Sequence, residues 1–213
     1  MKIIEVQALS IPDIKIIRFA RFSDHRGFFT EIYRKSDFDG HPKMAFLKST
    51  DFVQLNESFS HRGVVRGLHF QWNPFMGKLV RTISGRMVDL ALDIRVNSPT
   101  LGKIIACDMP GADDRAYDEW LWIPPGFAHG NYFSEPTRIE YACSGAYNPE
   151  CEACISPLSG DIDWSLCDPG LRSGFVKITS SPGLLITDKD RHGLALNRWL
   201  AGENSKNFVY NRQ

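Results

Sequence analysis

From about Ile14 to Cys143 the chain alternates in short runs of apolar and polar residues, punctuated by clusters of Gly, Pro, Asn and Asp. Period-two alternation at this length predicts strands. In Gly85–Arg95, Val88, Leu90, Leu92 and Ile94 fall on one parity and Asp89, Ala91, Asp93 and Arg95 on the other, which predicts a strand with one core face. Lys78–Ser84, Leu101–Met109, Leu121–Pro124 and Arg138–Cys143 follow the same pattern. Six or more strands with no helical period between them argue for a mainly β sandwich or jelly roll rather than βαβ units. Gln54, Asn56 and Ser58 share a parity, so this polar stripe faces either solvent or the mouth of a barrel, and periodicity leaves the two open.

After Cys143 the composition shifts to Cys, Pro, Ser and Asp until about Pro182, and Asp190–Gly202 then predicts a short amphipathic helix burying Leu194, Leu196, Trp199 and Leu200. The 213 residues are read as a single domain, 1–213, with a β core over about 14–145 and a helical C-terminal extension over about 146–213.

Charge narrows the functional classes. Twenty-five Lys and Arg balance twenty-five Asp and Glu, so no excess charge concentrates a nucleic-acid backbone on the surface. No apolar run approaches a membrane span, and Met1–Ser10 carries no secretory pattern, so neither a membrane nor a nucleic-acid partner is expected. The odd set Cys107, Cys143, Cys151, Cys154 and Cys167 argues against a disulfide framework and fits a cytoplasmic protein. Cys151-x-x-Cys154 lacks a second close pair to complete a zinc shell and is read as two incidental thiols.

Chemistry concentrates in three places. His61–Gln71 (HRGVVRGLHFQ) and Lys78 place two His, two Arg and a Lys within eighteen positions. On a regular strand Arg66 and His69 would point to opposite faces, so their joint use requires either a bulge at Gly67 or a strand that is ending, and the bulge is the expectation. Trp122–Gly130 (WIPPGFAHG) delivers His129 from a strand end, and Tyr141–Glu152 (YACSGAYNPECE) carries Tyr141 and Tyr147. Taken singly, these read equally as edge-strand cations, a turn with an incidental His, and core tyrosines with satisfied hydroxyls.

Their order carries more. F-x-D-x-R-G-x-F-x-E (Phe22–Glu31), Q-x-N-x-S (Gln54–Ser58), RGLHFQ (Arg66–Gln71), KLV (Lys78–Val80), SPTLG (Ser98–Gly102), IPPGFAHG (Ile123–Gly130) and Y-x-P-x-x-E (Tyr147–Glu152) occur in succession. Over about Ile14–Asp190 the chain thereby resembles the dTDP-4-dehydrorhamnose 3,5-epimerase family. The resemblance implies a cupin-type jelly-roll barrel, a homodimer, and a reaction on a nucleotide-diphosphate 4-keto-6-deoxy sugar without metal or redox cofactor. It implies His69 as base, Asp190 as the carboxylate orienting it, Lys78 near the enolate oxygen and Tyr141 as the opposite-face acid. Arg26, Glu31, Gln54, Asn56, Arg66, His129, Tyr147 and Glu152 match positions that bind the nucleotide sugar.

Three departures bear on the outcome. Asn131 stands where the family usually has Phe, and the loops between His69 and Lys78 and between His129 and Tyr141 are each one residue shorter. Inversion at C3, at C5 or at both therefore stays open. A metal-dependent cupin is the first rival, but the partner position of a metal His pair is Gln71; a sugar 3,4-ketoisomerase and a non-catalytic nucleotide-sugar binding protein are the others.

Overall fold

The structure, a computed structural model, describes residues 2–111 and 115–211. Two antiparallel sheets enclose one apolar layer, and each has part of its outer face covered. The N-terminal strands β1 (Ile3–Ala8) and β2 (Lys15–Ala20) are followed by a small hairpin, β3 (Phe22–Asp24) and β4 (Gly27–Phe29), and by α1 (Lys35–Gly40) with a 3-10 turn at Pro42–Leu47. Then come β5 (Gln54–Ser60), β6 (Val65–Gln71), β7 (Lys78–Ser84), β8 (Arg86–Asp93), β9 (Ile104–Pro110), β10 (Tyr117–Ile123), β11 (Phe127–Phe133) and β12 (Thr137–Cys143). The C-terminal part contributes β13 (Glu152–Cys154), α2 (Pro169–Thr179), α3 (Asp188–Arg191) and α4 (Leu196–Leu200).

The larger sheet has the order β1-β2-β10-β7-β12-β5 and the smaller β13-β6-β11-β8-β9. The mainly β jelly-roll expectation is met, with two facing sheets that do not hydrogen-bond into a closed ring. Between them, Val80, Leu121 and Ile139 of the larger sheet pack on Met87, Ile105, Met109 and Phe133 of the smaller. Outside the larger sheet, Phe38, Met44 and Leu47 cover Phe19, Leu79, Trp120 and Trp122.

Outside the smaller sheet, Phe175, Leu196, Trp199 and Phe208 of the C-terminal extension cover Leu68, Phe70, Leu90 and Leu92. This corrects the reading of β8 as a strand with one core face. Both its faces are buried, the apolar parity lies under the extension, and the polar parity of Asp89 and Asp93 points between the sheets. Buried Asp93 is held there by Arg95 at 2.8 Å and by the hydroxyls of Ser98 and Thr100, at 2.5 and 2.6 Å, from the SPTLG loop.

The extension is helical as expected, in different pieces. The predicted helix over Asp190–Gly202 is two short helices, because Leu194 leaves helical geometry to donate its amide to the Cys154 carbonyl and bridge Ile155. The longest helix, α2, lies in the stretch read only as polar. Asp168 caps it by accepting from the amides of Gly170 and Leu171, Pro169 occupies its first turn, and Phe175 is its buried contact.

Candidate active site

The site is built on β6. Its pairing with β11 aligns His69 with His129 and Arg66 with Asn131, so Gly67 and Leu68 together oppose the single residue Gly130. That is the bulge expected at Gly67, and the strand does not end there. It occurs here because two glycines meet: Gly67 has φ +106°, and a Cβ on it would lie 2.5 Å from the Gly130 Cα. The extra residue turns a spacing of three into an effective spacing of two, and both Arg66 and His69 line one cavity of about 430 Å³ between the sheets.

His69 lies between two carboxylates. Its Nε2 is 2.9 Å from Asp190 Oδ1 and its Nδ1 is 3.0 Å from Glu152 Oε1, the latter an ion-pair contact whose angle falls short of a hydrogen bond. Burial alone would push the imidazole down, but the two carboxylates outweigh it and hold His69 above the usual histidine range. Asp190 comes from α3, where Thr187 caps the helix by accepting the Asp190 amide, and its Oδ2 accepts the Gly67 amide at 3.2 Å. Glu152 also takes Lys189 Nζ at 2.6 Å and the Tyr147 hydroxyl at 3.2 Å. Burial would raise Glu152, yet His69 and Lys189 bring it down to about 2.

The larger sheet supplies the opposite wall. Lys78 on β7 pairs with Cys143 on β12, and Tyr141 stands two residues before Cys143 on the same face. Burial pushes the Lys78 ammonium down, against the attraction of Cys143, Glu152 and Asp89. Burial also raises the Tyr141 phenol and the Cys143 thiol. The polar stripe of β5 faces this cavity rather than solvent: Gln54 donates to Asn56 at 3.0 Å and accepts the Tyr147 amide at 2.9 Å, and Asn56 reaches the Cys143 sulfur at 3.6 Å. The outer side of β5 carries exposed Leu55 and Phe59 instead. Arg66 is steadied at the rim by donating to the Ser60 hydroxyl at 3.0 Å and the Phe59 carbonyl at 3.2 Å.

Of the residues singled out from sequence, Gln54, Asn56, Arg66, His69, Lys78, His129, Tyr141, Tyr147, Glu152 and Asp190 all line this cavity. Arg26 and Glu31 do not. Arg26 sits in the exposed β3–β4 hairpin, 2.6 Å from Asp24, and Glu31 pairs with Arg34. Asp89 was not anticipated: its Oδ2 lies 2.7 Å from His129 Nε2 in full burial, which pushes the carboxyl up and the imidazole down. The available signal was a carboxylate in the middle of an apolar strand. Gln71, at the metal-pair position, donates its amide to the carbonyls of Pro74 and Ala146 and accepts from the Asn148 amide, which pins the loop beside the cavity.

The family model for dTDP-4-dehydrorhamnose 3,5-epimerase matches residues 8–198. A Pseudomonas aeruginosa dTDP-4-dehydrorhamnose 3,5-epimerase is 37% identical over 193 residues, covering 88% of this chain and 93% of that one. A Neisseria gonorrhoeae protein of the same name is 41% identical over 162 residues, which are 74% of this chain and 46% of that longer one. The crystal structure of a Legionella pneumophila dTDP-6-deoxy-D-glucose-3,5-epimerase in complex with dTDP-4-keto-L-rhamnose superposes with a TM-score of 0.77 at 31% identity, covering 96% of this chain and 97% of that one. The ordered motifs, the two facing sheets and the cavity between them therefore have one common explanation: the chain belongs to the dTDP-4-dehydrorhamnose 3,5-epimerase family.

Proposed function

We propose that the cavity inverts C3, C5 or both of a nucleotide-linked 4-keto-6-deoxy sugar, in deoxysugar biosynthesis, with His69 as base and Tyr141 as acid. The observation that carries this reading is that the two groups stand on opposed sheets and line the same cavity, as removal from one face and delivery to the other demand. The ketone at C4 acidifies the neighbouring C–H bonds. His69 takes the proton, the electron pair of the C–H bond moves toward O4, and the enolate oxygen forms against Lys78, whose half-buried charge opposes it at short range. Asp190 holds the imidazolium that results. The phenol of Tyr141 then protonates the same carbon from the other face, and solvent restores both residues. Burial makes Tyr141 a weaker acid, which suits a strongly basic enolate and keeps the proton in place until one forms.

Arg66, Gln54, Asn56, Tyr147 and Glu152 line the cavity and bind the nucleotide sugar, with the Arg66 guanidinium as donor to phosphate oxygens. Arg26 and Glu31 join them from a second copy in a cytoplasmic homodimer. The β3–β4 hairpin supports that placement, because it projects Phe22 and Phe29 into solvent, 53% and 68% exposed, as a protrusion that a partner would cover. Among the described residues no helix is long and apolar enough to cross a membrane.

The test is incubation with a nucleotide-linked 4-keto-6-deoxyhexose in deuterated water, followed by NMR. Deuterium entering at C3 or C5 together with inversion at that carbon is expected, and the labelled positions identify the inverted centres. Absence of exchange at both carbons overturns the reading.

A further inference from the structure

Cys154 lies directly opposite His69 in the β13–β6 pairing, so their side chains are nearest cross-strand neighbours on one face. The thiol also points at the carboxylate that holds the imidazole, with Cys154 Sγ 3.9 Å from Asp190 Oδ1. That oxygen is the one 2.9 Å from His69 Nε2, and a nitrogen, an oxygen and a sulfur ligand atom from the three residues all lie within 4.8 Å of one another. Around a single zinc ion, ligand atoms of these types stand about 3.3 to 3.6 Å apart, given metal bonds of about 2.0 to 2.3 Å. The separations of 2.9 and 3.9 Å reach that range by about 0.4 Å or less, and the nitrogen-to-sulfur separation, within 4.8 Å, by about 1.2 Å or less.

We propose that His69 Nε2, Asp190 Oδ1 and Cys154 Sγ form a three-ligand site for a soft divalent cation such as Zn²⁺, whose occupancy switches turnover off. The imidazole is already oriented for it. With Nε2 on the metal, Nδ1 keeps its contact with Glu152, and a carboxylate behind a ligating histidine is the arrangement that fixes such ligands in place. Glu152 is itself anchored by Lys189. The cation enters from the cavity, which His69 lines.

The thiol is what selects a soft ion. In the free protein, burial first and the Asp190 charge second push Cys154 up to about 12, so it is protonated and unreactive. A divalent cation reverses the sign of the local charge: the sulfur binds as thiolate and its proton leaves to solvent. Hard cations such as Mg²⁺ gain little from sulfur or imidazole and are not held. Cys151, the other half of the C-x-x-C pair, takes no part. Inhibition rests on the reading of His69 as base, because a metal on Nε2 displaces Asp190 from it and locks the ring; the binding itself does not rest on that reading.

The experiment uses the whole chain. Co²⁺ is titrated into wild type, Cys154→Ser and Cys154→Ala while absorbance is followed, Zn²⁺ is then added in competition, and turnover is measured across Zn²⁺ and Mg²⁺ series. In wild type a thiolate-to-cobalt charge-transfer band appears near one equivalent and is bleached by Zn²⁺; in both variants it is absent. Zn²⁺ inhibits wild type and Mg²⁺ does not, and the half-inhibiting Zn²⁺ concentration rises about tenfold or more in each variant. No band in wild type, a band that survives in both variants, or equal inhibition of all three proteins by Zn²⁺ overturns the proposal. A wild-type band lost in the variants, with turnover undiminished by Zn²⁺, leaves the metal site standing and overturns the assignment of His69 as base.

Discussion

Asp190 joins His69 to the strand bulge: one carboxylate oxygen lies 2.9 Å from the imidazole and the other accepts the Gly67 amide at 3.2 Å. The group that orients the base thus also secures the irregularity that aims the base into the cavity. Asp190→Asn preserves the shape and removes the charge. It should lower kcat by about 10²- to 10⁴-fold, with nucleotide-diphosphate affinity within a few fold of wild type. Steady-state kinetics and calorimetric titration with the nucleotide check this, and a loss confined to affinity would assign Asp190 to binding.

His69→Asn removes the proton acceptor while keeping a polar side chain of moderate size. Turnover should fall by about 10⁴-fold, and solvent exchange at C3 and C5 should fall with it, because both follow the same abstraction. Comparable exchange in variant and wild type would place the base elsewhere.

Tyr141→Phe separates the two halves of the reaction. His69 and Lys78 are untouched, so abstraction continues, and the enolate is reprotonated from the face it came from. Label incorporation should outlast inversion, raising the ratio of exchange to epimerised product several-fold in deuterated water. An unchanged ratio would remove Tyr141 as the stereochemical acid and make Tyr147 the next candidate.

Gly67→Ala tests the bulge itself. The new methyl carbon would meet the Gly130 Cα at 2.5 Å and the His129 carbonyl oxygen at 2.7 Å, with a φ that side chains rarely adopt. Backbone atoms cannot yield as a side-chain tip can, so a loss of about 3 kcal/mol or more in urea unfolding is expected, together with loss of activity.

The pH dependence of stability follows from Asp93. Burial would raise its carboxyl, but Arg95, Ser98 and Thr100 outweigh that and hold it below the usual range. A carboxyl depressed in the folded state contributes its stabilisation above the unfolded value of about 3.9, and that contribution is lost as pH falls through the folded value. Asp93→Asn removes the main charge partner of Arg95, leaving it Asp13 at 3.2 Å, and should cost about 2 kcal/mol at neutral pH while flattening the acid limb of thermal stability against pH. An acid limb as steep as that of wild type would show that other carboxyls set it.

What was legible in the sequence was what lies along one strand. Lys78–Ser84 could be bounded from alternation alone, and the conflict between Arg66 and His69 pointed to a bulge at the glycine where it occurs. What depended on a second layer was less visible. Asp89 and His129 face each other because β8 is buried on both sides, whereas alternation suggests only that the polar parity is the exposed one. The helix α2 announced itself through Asp168-Pro169 and the spacing of Leu171, Phe175 and Ile178, but two glycines diluted the pattern. Arg26 and Glu31 show the remaining limit, since a motif fixes residue types and not the cavity they serve.

The placement of Asp190 in the extension also has a consequence in time. Every strand of both sheets except β13 is complete by Cys143, so a ribosome that has made the base, the acid and the lysine has not yet made the carboxylate that orients the base. At ordinary synthesis rates of roughly 5 to 20 residues per second, the wait from Cys143 to Asp190 is on the order of several seconds. During it the nascent chain can bury its central layer without being able to perform the reaction. Competence arrives only when the last helices dock on the outer face of the smaller sheet, and a product broken off before them would be inert and would leave Leu68, Phe70, Leu90 and Leu92 uncovered.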